Sequence, residues 1–177
     1  MILSKLPDKA QMLFEKLEIQ GRLEKHLRIV HQTALELSEA IHSQWTSLVF
    51  NLYEVLFGAA THDIGKHLVK EELFKPGNKH QQAGYDLLVS ENIEPSLARF
   101  ALTHGSVLYN TLLIEDLIVI MADKLWKGKR IDELEEAFIS KISKELSQDF
   151  WFIYTKAENI FSKLAEGADK RLLWQQE

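Results

Sequence analysis

The chain contains no cysteine among its 177 residues. A disulfide framework and a thiolate metal site are therefore excluded, so any metal ion must be held by histidine and carboxylate ligands. Glycine and proline are scarce, at eight and three residues, which favours long helices over many turns. Alternating strand patterns are also absent, and apolar residues recur at helical spacing instead. The sequence predicts an all-α fold.

Long apolar runs and a positive net charge are missing as well. No apolar run reaches the ~20 residues that cross a bilayer, and the first residues lack the apolar core of a signal peptide. We therefore expect a cytoplasmic protein with no membrane partner. The net charge of −5 argues against a nucleic-acid partner. A small phosphorylated partner remains open, because a metal centre can supply local positive charge.

The apolar periodicity predicts helices along the whole chain. We expect a first helix capped by Asp8 and ending near Glu18, and a second helix from about Leu23 to Ser43. A third helix is expected to begin at Trp45 and Thr46. Asp132 should cap a later helix, and the last helix should run from about Gln148 to Trp174. One domain is expected over residues 1–177, with a core at about 23–130 and the helices of 131–177 as its cover.

A histidine and a carboxylate follow a buried apolar run in the stretch from Gly58 to Lys66. An ionised carboxylate in such a place is unfavourable unless it is paired or binds a metal ion. Neighbouring residues on a regular helix point about 100° apart. We expect Gly65 to end the helix, so that His62 and Asp63 can turn toward one centre.

Other residues of the ligand type also lie on apolar helical faces. His26 shares the apolar stripe of the second helix, whereas His31 and His42 are expected at the surface or behind the ligands. His80 leads another apolar stripe, on which Gly84 permits the close approach of a second backbone. Two further candidates, His104 and Asp123, each end an apolar helix. The Asp123 carboxylate could instead be neutralised by Lys124 or Arg130.

Six such residues therefore stand in the order His, His-Asp, His, His, Asp. This order, with Ala-Thr-His-Asp-Ile-Gly-Lys after a buried helix, resembles the HD-domain metal-dependent phosphohydrolases, specifically their six-ligand branch. The resemblance implies two divalent metal ions bridged by Asp63. It assigns His26, His62 and Asp123 to one ion and the pair His80 and His104 to the other. Such ligands suit Fe, Mn, Co, Ni or Zn.

Two sub-families are similar in detail. The HD-GYP-type phosphodiesterases share the stretch from His62 to Lys66 and a Pro-Gly connector that leads to His80. The bacterial symmetrical diadenosine tetraphosphate hydrolases are similar from His80 onward, including Thr103-His104, Ala122-Asp123 and Arg130. Lys66 is accordingly expected to face the substrate phosphate as a catalytic residue beside Asp63, with Thr103 and Arg130 as further substrate contacts.

The sequence thus predicts a metal-dependent phosphohydrolase that cleaves a phosphate ester or anhydride, with a nucleotide or dinucleotide as the expected substrate. Two alternatives remain. A one-metal nucleoside monophosphate phosphatase would use His26, His62, Asp63 and Asp123 alone. A non-catalytic nucleotide-binding or regulatory module would keep the same ligands without turnover. The oligomeric state stays open.

Overall fold

A computed structural model describes residues 3–176, and these residues form helices and connecting segments without any strand. The all-α prediction is confirmed. None of the helices in this range is long and apolar enough to cross a membrane. The α-helices are α1 Asp8–Lys16, α2 Gly21–Gln44, α3 Leu52–Thr61, α4 Lys79–Ser90, α5 Pro95–Ala98, α6 Phe100–Thr103, α7 Ile114–Leu125, α8 Asp132–Leu146, α9 Phe150–Glu166 and α10 Ala168–Gln176. Short 3-10 helices cover Ile64–His67, Lys70–Leu73 and Tyr109–Thr111.

Helix α2 is the central element of the domain, since it packs against α3 and α7 and also against α9 and α10. Every residue of α7 from Leu117 to Asp123 is buried. The larger apolar core joins α2, α3, α7, α8 and α9, and a smaller one lies between α1, α2, α3 and α4. The candidate metal centre described below lies where α2, α3, α4, α6 and α7 meet.

The segment before α3 is not helical, so the predicted helix start at Trp45 and Thr46 is wrong. Helix α3 begins at Leu52 after the N-cap Asn51, whose side chain accepts a hydrogen bond from the backbone N–H of Glu54. Trp45 and Leu48 are buried, at 4% and 3% exposure. Their apolar side chains anchor a non-helical connection in the core, and a periodicity argument cannot separate that role from a helical one.

Two expected N-caps lie one position inside their helices. Asp8 and Asp132 are the first helical residues of α1 and α8, and Pro7 and Ile131 take the cap positions. Each carboxylate still lies in the first turn, where it interacts favourably with the helix dipole.

The last predicted helix is two helices that meet at Gly167. The guanidinium group of Arg171 lies against this glycine, since a Cβ atom there would come within 2.9 Å of Nη1. Arg171 Nε donates to Trp126 O at 2.8 Å and Nη2 donates to Leu125 O at 3.1 Å. Helix α10 is thereby attached to the carboxyl end of α7.

Candidate metal centre

Of the histidines on helix α2, His26 and not His31 lies beside His62 and Asp63. His26 Nε2 lies 3.1 Å from Asp63 Oδ2 and 3.3 Å from His62 Nε2.

His42 is exposed, as one of the two expected placements allows. Of the two placements expected for His31, the surface position is wrong, because this side chain is only 1% exposed. It also forms no hydrogen bond to a ligand residue, since neither ring nitrogen has a partner. Burial lowers its pKa to about 4.

His62 and Asp63 follow directly on the end of α3. The helix ends at Thr61, His62 keeps helical dihedral angles as the C-cap, and Asp63 departs from them with φ −104° and ψ 10°. The chain then continues as the 3-10 helix that contains Gly65. The predicted helix stop at Gly65 is therefore wrong, because the helix has ended four residues earlier.

Gly65 is instead required by a close crossing of two backbones. A Cβ atom on Gly65 would overlap His80 O and lie 2.5 Å from Gly84 N. Gly84 faces back, since its own Cβ would lie 3.1 Å from Gly65 N. The close backbone approach predicted at Gly84 is confirmed, and its partner is Gly65. This crossing brings the first turn of α4, with His80, against Asp63.

Glu72 orients His80 and was missed at the sequence level. Its Oε2 lies 2.5 Å from His80 Nδ1, and its two oxygens accept hydrogen bonds from the backbone N–H groups of Lys79 and His80. The Glu72 side chain is 7% exposed. A carboxylate on the outer nitrogen of a histidine fixes the ring and raises its basicity. The sequence gives little indication of this role, because the contact depends on how the segment between Leu73 and Lys79 folds back toward α4.

His104 lies at the carboxyl end of α6 as its C-cap. Its Nδ1 lies 3.1 Å from Phe100 O, and its Nε2 lies 3.2 Å from both His80 Nε2 and Asp63 Oδ1. A Cβ on Gly58 would overlap the Phe100 ring. The glycine thus lets α6 pack directly on α3, which sets the distance between His104 and His62.

Asp123 comes from the last turns of α7. Its Oδ1 lies 3.6 Å from His26 Nε2 and 3.8 Å from His62 Nε2. Its Oδ2 forms an ion pair with Lys124 Nζ at 2.7 Å. Of the two cations that the sequence offers as partners of Asp123, Lys124 forms the ion pair and Arg130 does not. The ion pair leaves the other oxygen of Asp123 directed at the histidines.

The histidine tautomers leave several acceptor atoms facing one another. His62 Nδ1 and His104 Nδ1 lie 3.0 Å and 3.1 Å from the carbonyl oxygens of Ala59 and Phe100. A carbonyl can only accept, so each Nδ1 carries the proton and each Nε2 keeps its lone pair. Asp63 Oδ1 is buried without a hydrogen-bond partner. Converging lone pairs of this kind suit a cation, and the residues therefore fit a metal ion.

The charges of these groups agree with that fit. Burial lowers the pKa of His62 to about 3, which keeps the ring neutral near pH 7. Burial by itself would raise the pKa values of Asp63 and Asp123. The pKa of Asp63 nevertheless lies well below its usual range, and Lys124 holds the pKa of Asp123 below its usual range as well. A neutral imidazole at His62 and ionised carboxylates at Asp63 and Asp123 are the protonation states in which such side chains bind metal ions.

All six residues expected as ligands come together, and they form two groups that are able to hold metal ions. The first is His26, His62 and Asp123, and the second is Asp63, His80 and His104. Within each group the ligand atoms lie within 4.8 Å of one another. Asp63 also lies against the first group, because its Oδ2 faces His26 while its Oδ1 faces His80 and His104.

A cavity of about 320 Å³ opens beside this centre, and His26 and Lys66 lie in its wall. Lys66 Nζ is 2.5 Å from Asp63 Oδ2, and its side chain is 22% exposed. The ammonium group is thus held at the edge of the centre and within reach of a molecule in the cavity.

Thr103 and Arg130, the two other expected substrate contacts, are not in the wall of this cavity. The Thr103 hydroxyl donates to Asp116 Oδ1 at 2.8 Å. Arg130 forms ion pairs with Glu135 and Glu158, which hold the turn after α7 against α8 and α9. Both side chains are engaged in structural contacts, because each is bound to carboxylates of other helices.

Comparisons of the chain with protein-family models, with curated proteins and with solved structures give no match.

Proposed function

We propose that this protein is a metal-dependent phosphohydrolase of the HD-domain type, which cleaves a phosphate ester or anhydride of a nucleotide or dinucleotide. The observation that supports it is the position of Asp63 between the two ligand groups. One of its oxygens lies 3.1 Å from His26 Nε2, and the other lies 3.1 Å from His80 Nε2. A carboxylate so placed is suited to bridge two metal ions.

Two ions, of Fe, Mn, Co, Ni or Zn, would divide the six residues between them. His26, His62 and Asp123 would hold one ion, His80 and His104 would hold the other, and Asp63 would contact both. When bound, such ions supply Lewis-acid stabilisation of phosphoryl oxygens and lower the pKa of a bound water.

The protein's own contribution to the reaction is orientation and charge. The backbone carbonyls behind His62 and His104 and the carboxylate of Glu72 behind His80 fix the three rings before substrate arrives. Preorganised groups of this kind need no reorganisation during the reaction. Lys66 adds a cation at the cavity wall, where it would contact the substrate phosphate and offset the negative charge of the transition state.

The direct test is metal analysis of the purified protein followed by phosphatase assays with Mn, Fe, Co, Ni and Mg. We expect about two ions per chain and hydrolysis of a nucleotide, a dinucleoside polyphosphate or a cyclic dinucleotide. One ion per chain with activity on nucleoside monophosphates would favour the one-metal phosphatase. No turnover by fully loaded protein would favour the non-catalytic module and contradict the proposal.

Lys66→Ala separates substrate handling from metal binding. We expect wild-type metal content and a loss of about 10²–10³-fold in kcat/KM, the usual cost of removing one donor to the transition state. Lys66→Arg should restore only part of the activity, because a guanidinium fork does not overlay a point charge. Lys70→Ala, at an exposed lysine that begins the next 3-10 helix, is the matched control. Near-wild-type activity of Lys66→Ala, or loss of its metal, would exclude the proposed role.

A further inference from the structure

The cavity beside the metal centre has one wall that comes from the carboxyl end of the chain. His26 and Lys66 mark the end of the cavity that opens on the centre, and Trp126 and Lys127 continue it from the end of α7. Leu172 and Gln175 of α10 line it as well, together with Arg22, Leu23 and Leu73. Helix α10 therefore borders the space that a bound phosphate compound would occupy, and it is more than a cover over the core.

The position of α10 is fixed by a buried anchor. Arg171 is 7% exposed, and its guanidinium group donates to the backbone carbonyls of Leu125, Trp126 and Leu164. Leu125 and Trp126 are the second and third residues after Asp123. The anchor therefore joins α10 to the same helix end that carries a proposed metal ligand, and Leu172 follows the anchor directly.

Part of the cavity wall is apolar and partly aromatic. The Trp126 ring packs edge-on against the His26 ring, with 5.5 Å between the ring centroids. Trp126 and Leu172 both line the cavity, whereas the next residue, Leu173, is 65% exposed and is not part of the lining. An indole and an aliphatic side chain in one wall provide apolar contact for a flat ring. The cations of the lining, which are Arg22, Lys66 and Lys127, suit the phosphate instead.

We propose that Leu172, with Trp126, is the specificity contact for the organic group of the substrate, and that it favours phosphate compounds with a flat, partly apolar leaving group. This inference rests on the proposed function, because it takes the metal centre as the site that holds the phosphate.

The test measures binding of two non-hydrolysable probes, phenylphosphonate and methylphosphonate, to the Mn²⁺-loaded protein by titration calorimetry. The wild type should bind phenylphosphonate more tightly. Leu172→Ala should reduce this preference by about tenfold, the scale of lost apolar contact in a binding pocket, and should leave methylphosphonate affinity within about twofold. Leu172→Asn, which keeps the branched shape of the side chain but makes it polar, should reduce the preference in the same direction. Leu173→Ala on the exposed side of α10 is the control and should leave the preference unchanged.

The outcomes separate this inference from the proposed function. If the wild type binds both phosphonates but Leu172→Ala keeps its preference, or Leu173→Ala loses as much, the role of Leu172 is overturned while the phosphate site stands. If the metal-loaded wild type binds neither phosphonate, the proposed function is overturned, and the inference with it.

Discussion

Three histidines of the candidate metal centre are oriented by hydrogen bonds to the protein before any ligand binds. His62 and His104 each place one ring nitrogen against a backbone carbonyl, and His80 places one against Glu72. These contacts choose the tautomer and the direction of the remaining lone pair. Glu72 differs from the carbonyls because it can be replaced without changing the backbone, and it therefore offers a direct test at this scale.

Glu72→Gln should weaken metal binding by about 10- to 100-fold, the usual cost of losing such a partner. The amide keeps the size of the side chain but does not carry the charge that supports His80. The measurement is a metal titration against a competing chelator. Glu71→Gln, an exposed neighbour in the same 3-10 helix, should bind metal as the wild type does. Equal affinities in the two variants would show that Glu72 does not support His80.

His31 should make the protein sensitive to acid. Its pKa is lowered to about 4 from 6.5 by burial, so between these values the unfolded chain binds more protons than the folded one. Stability is then lost as the pH falls through this window, by about 2 kcal/mol between pH 7.5 and pH 5. His31→Leu removes this loss and breaks no hydrogen bond, because both ring nitrogens lack partners.

The measurement is urea unfolding of metal-free protein at both pH values. The difference between wild type and His31→Leu isolates this ring from the other histidines. His42→Leu, an exposed position on the same helix, should keep the pH dependence of the wild type. A His31→Leu variant that is as acid-sensitive as the wild type would contradict the assignment.

At the scale of elements, the decisive contact is the crossing between the 3-10 helix Ile64–His67 and α4. Gly65→Ala would place a methyl group against the backbone of His80 and Gly84. These backbone atoms cannot rotate away as the end of a flexible side chain can. We expect a loss of about 2–4 kcal/mol in the free energy of unfolding and weaker metal binding, because His80 moves away from Asp63.

Gly105→Ala provides the control for this crossing. A Cβ there would meet the amide end of the flexible Gln81 side chain, and that end can rotate away. We expect a loss below about 1 kcal/mol. Chemical unfolding and metal titration of both variants measure the difference, and similar losses in the two would show that the backbone crossing is not special.

At the scale of the whole molecule, metal binding should stabilise the folded state. The six proposed ligands lie between residues 26 and 123 and meet only in the folded chain. An ion that binds only the folded state stabilises it by about 2.7 kcal/mol at a hundredfold excess over Kd. Mn²⁺ should therefore raise the unfolding temperature, and a chelator should reverse the rise.

The double variant His26→Ala and His80→Ala removes one ligand from each group and should lose most of this response. The pair His31→Ala and His42→Ala changes the same residue type on α2 and should keep it. Thermal unfolding with and without Mn²⁺ is the measurement. A response of equal size in both double variants would place the metal elsewhere.

Much of the prediction rested on the local periodicity of apolar residues. The all-α class follows from apolar stripes, which depend only on residues three and four positions apart. The same stripes singled out His26 over His31 and marked Gly84 for a close backbone approach. They did not reveal the non-helical connection around Trp45 or the break at Gly167, because the burial of Trp45 and the anchor at Arg171 both depend on distant partners.

The sequence by itself determined the helical class and the residues whose side chains can bind metal, because both are written in local patterns of apolar and polar residues. Only the tertiary structure decided which atoms of those side chains face one another. It also decided that Glu72 stands behind His80, that Arg130 pairs with Glu135 and Glu158, and that Leu172 borders the cavity. Each of these contacts joins separate elements, and the packing of the helices, which no local pattern records, sets the distance between them.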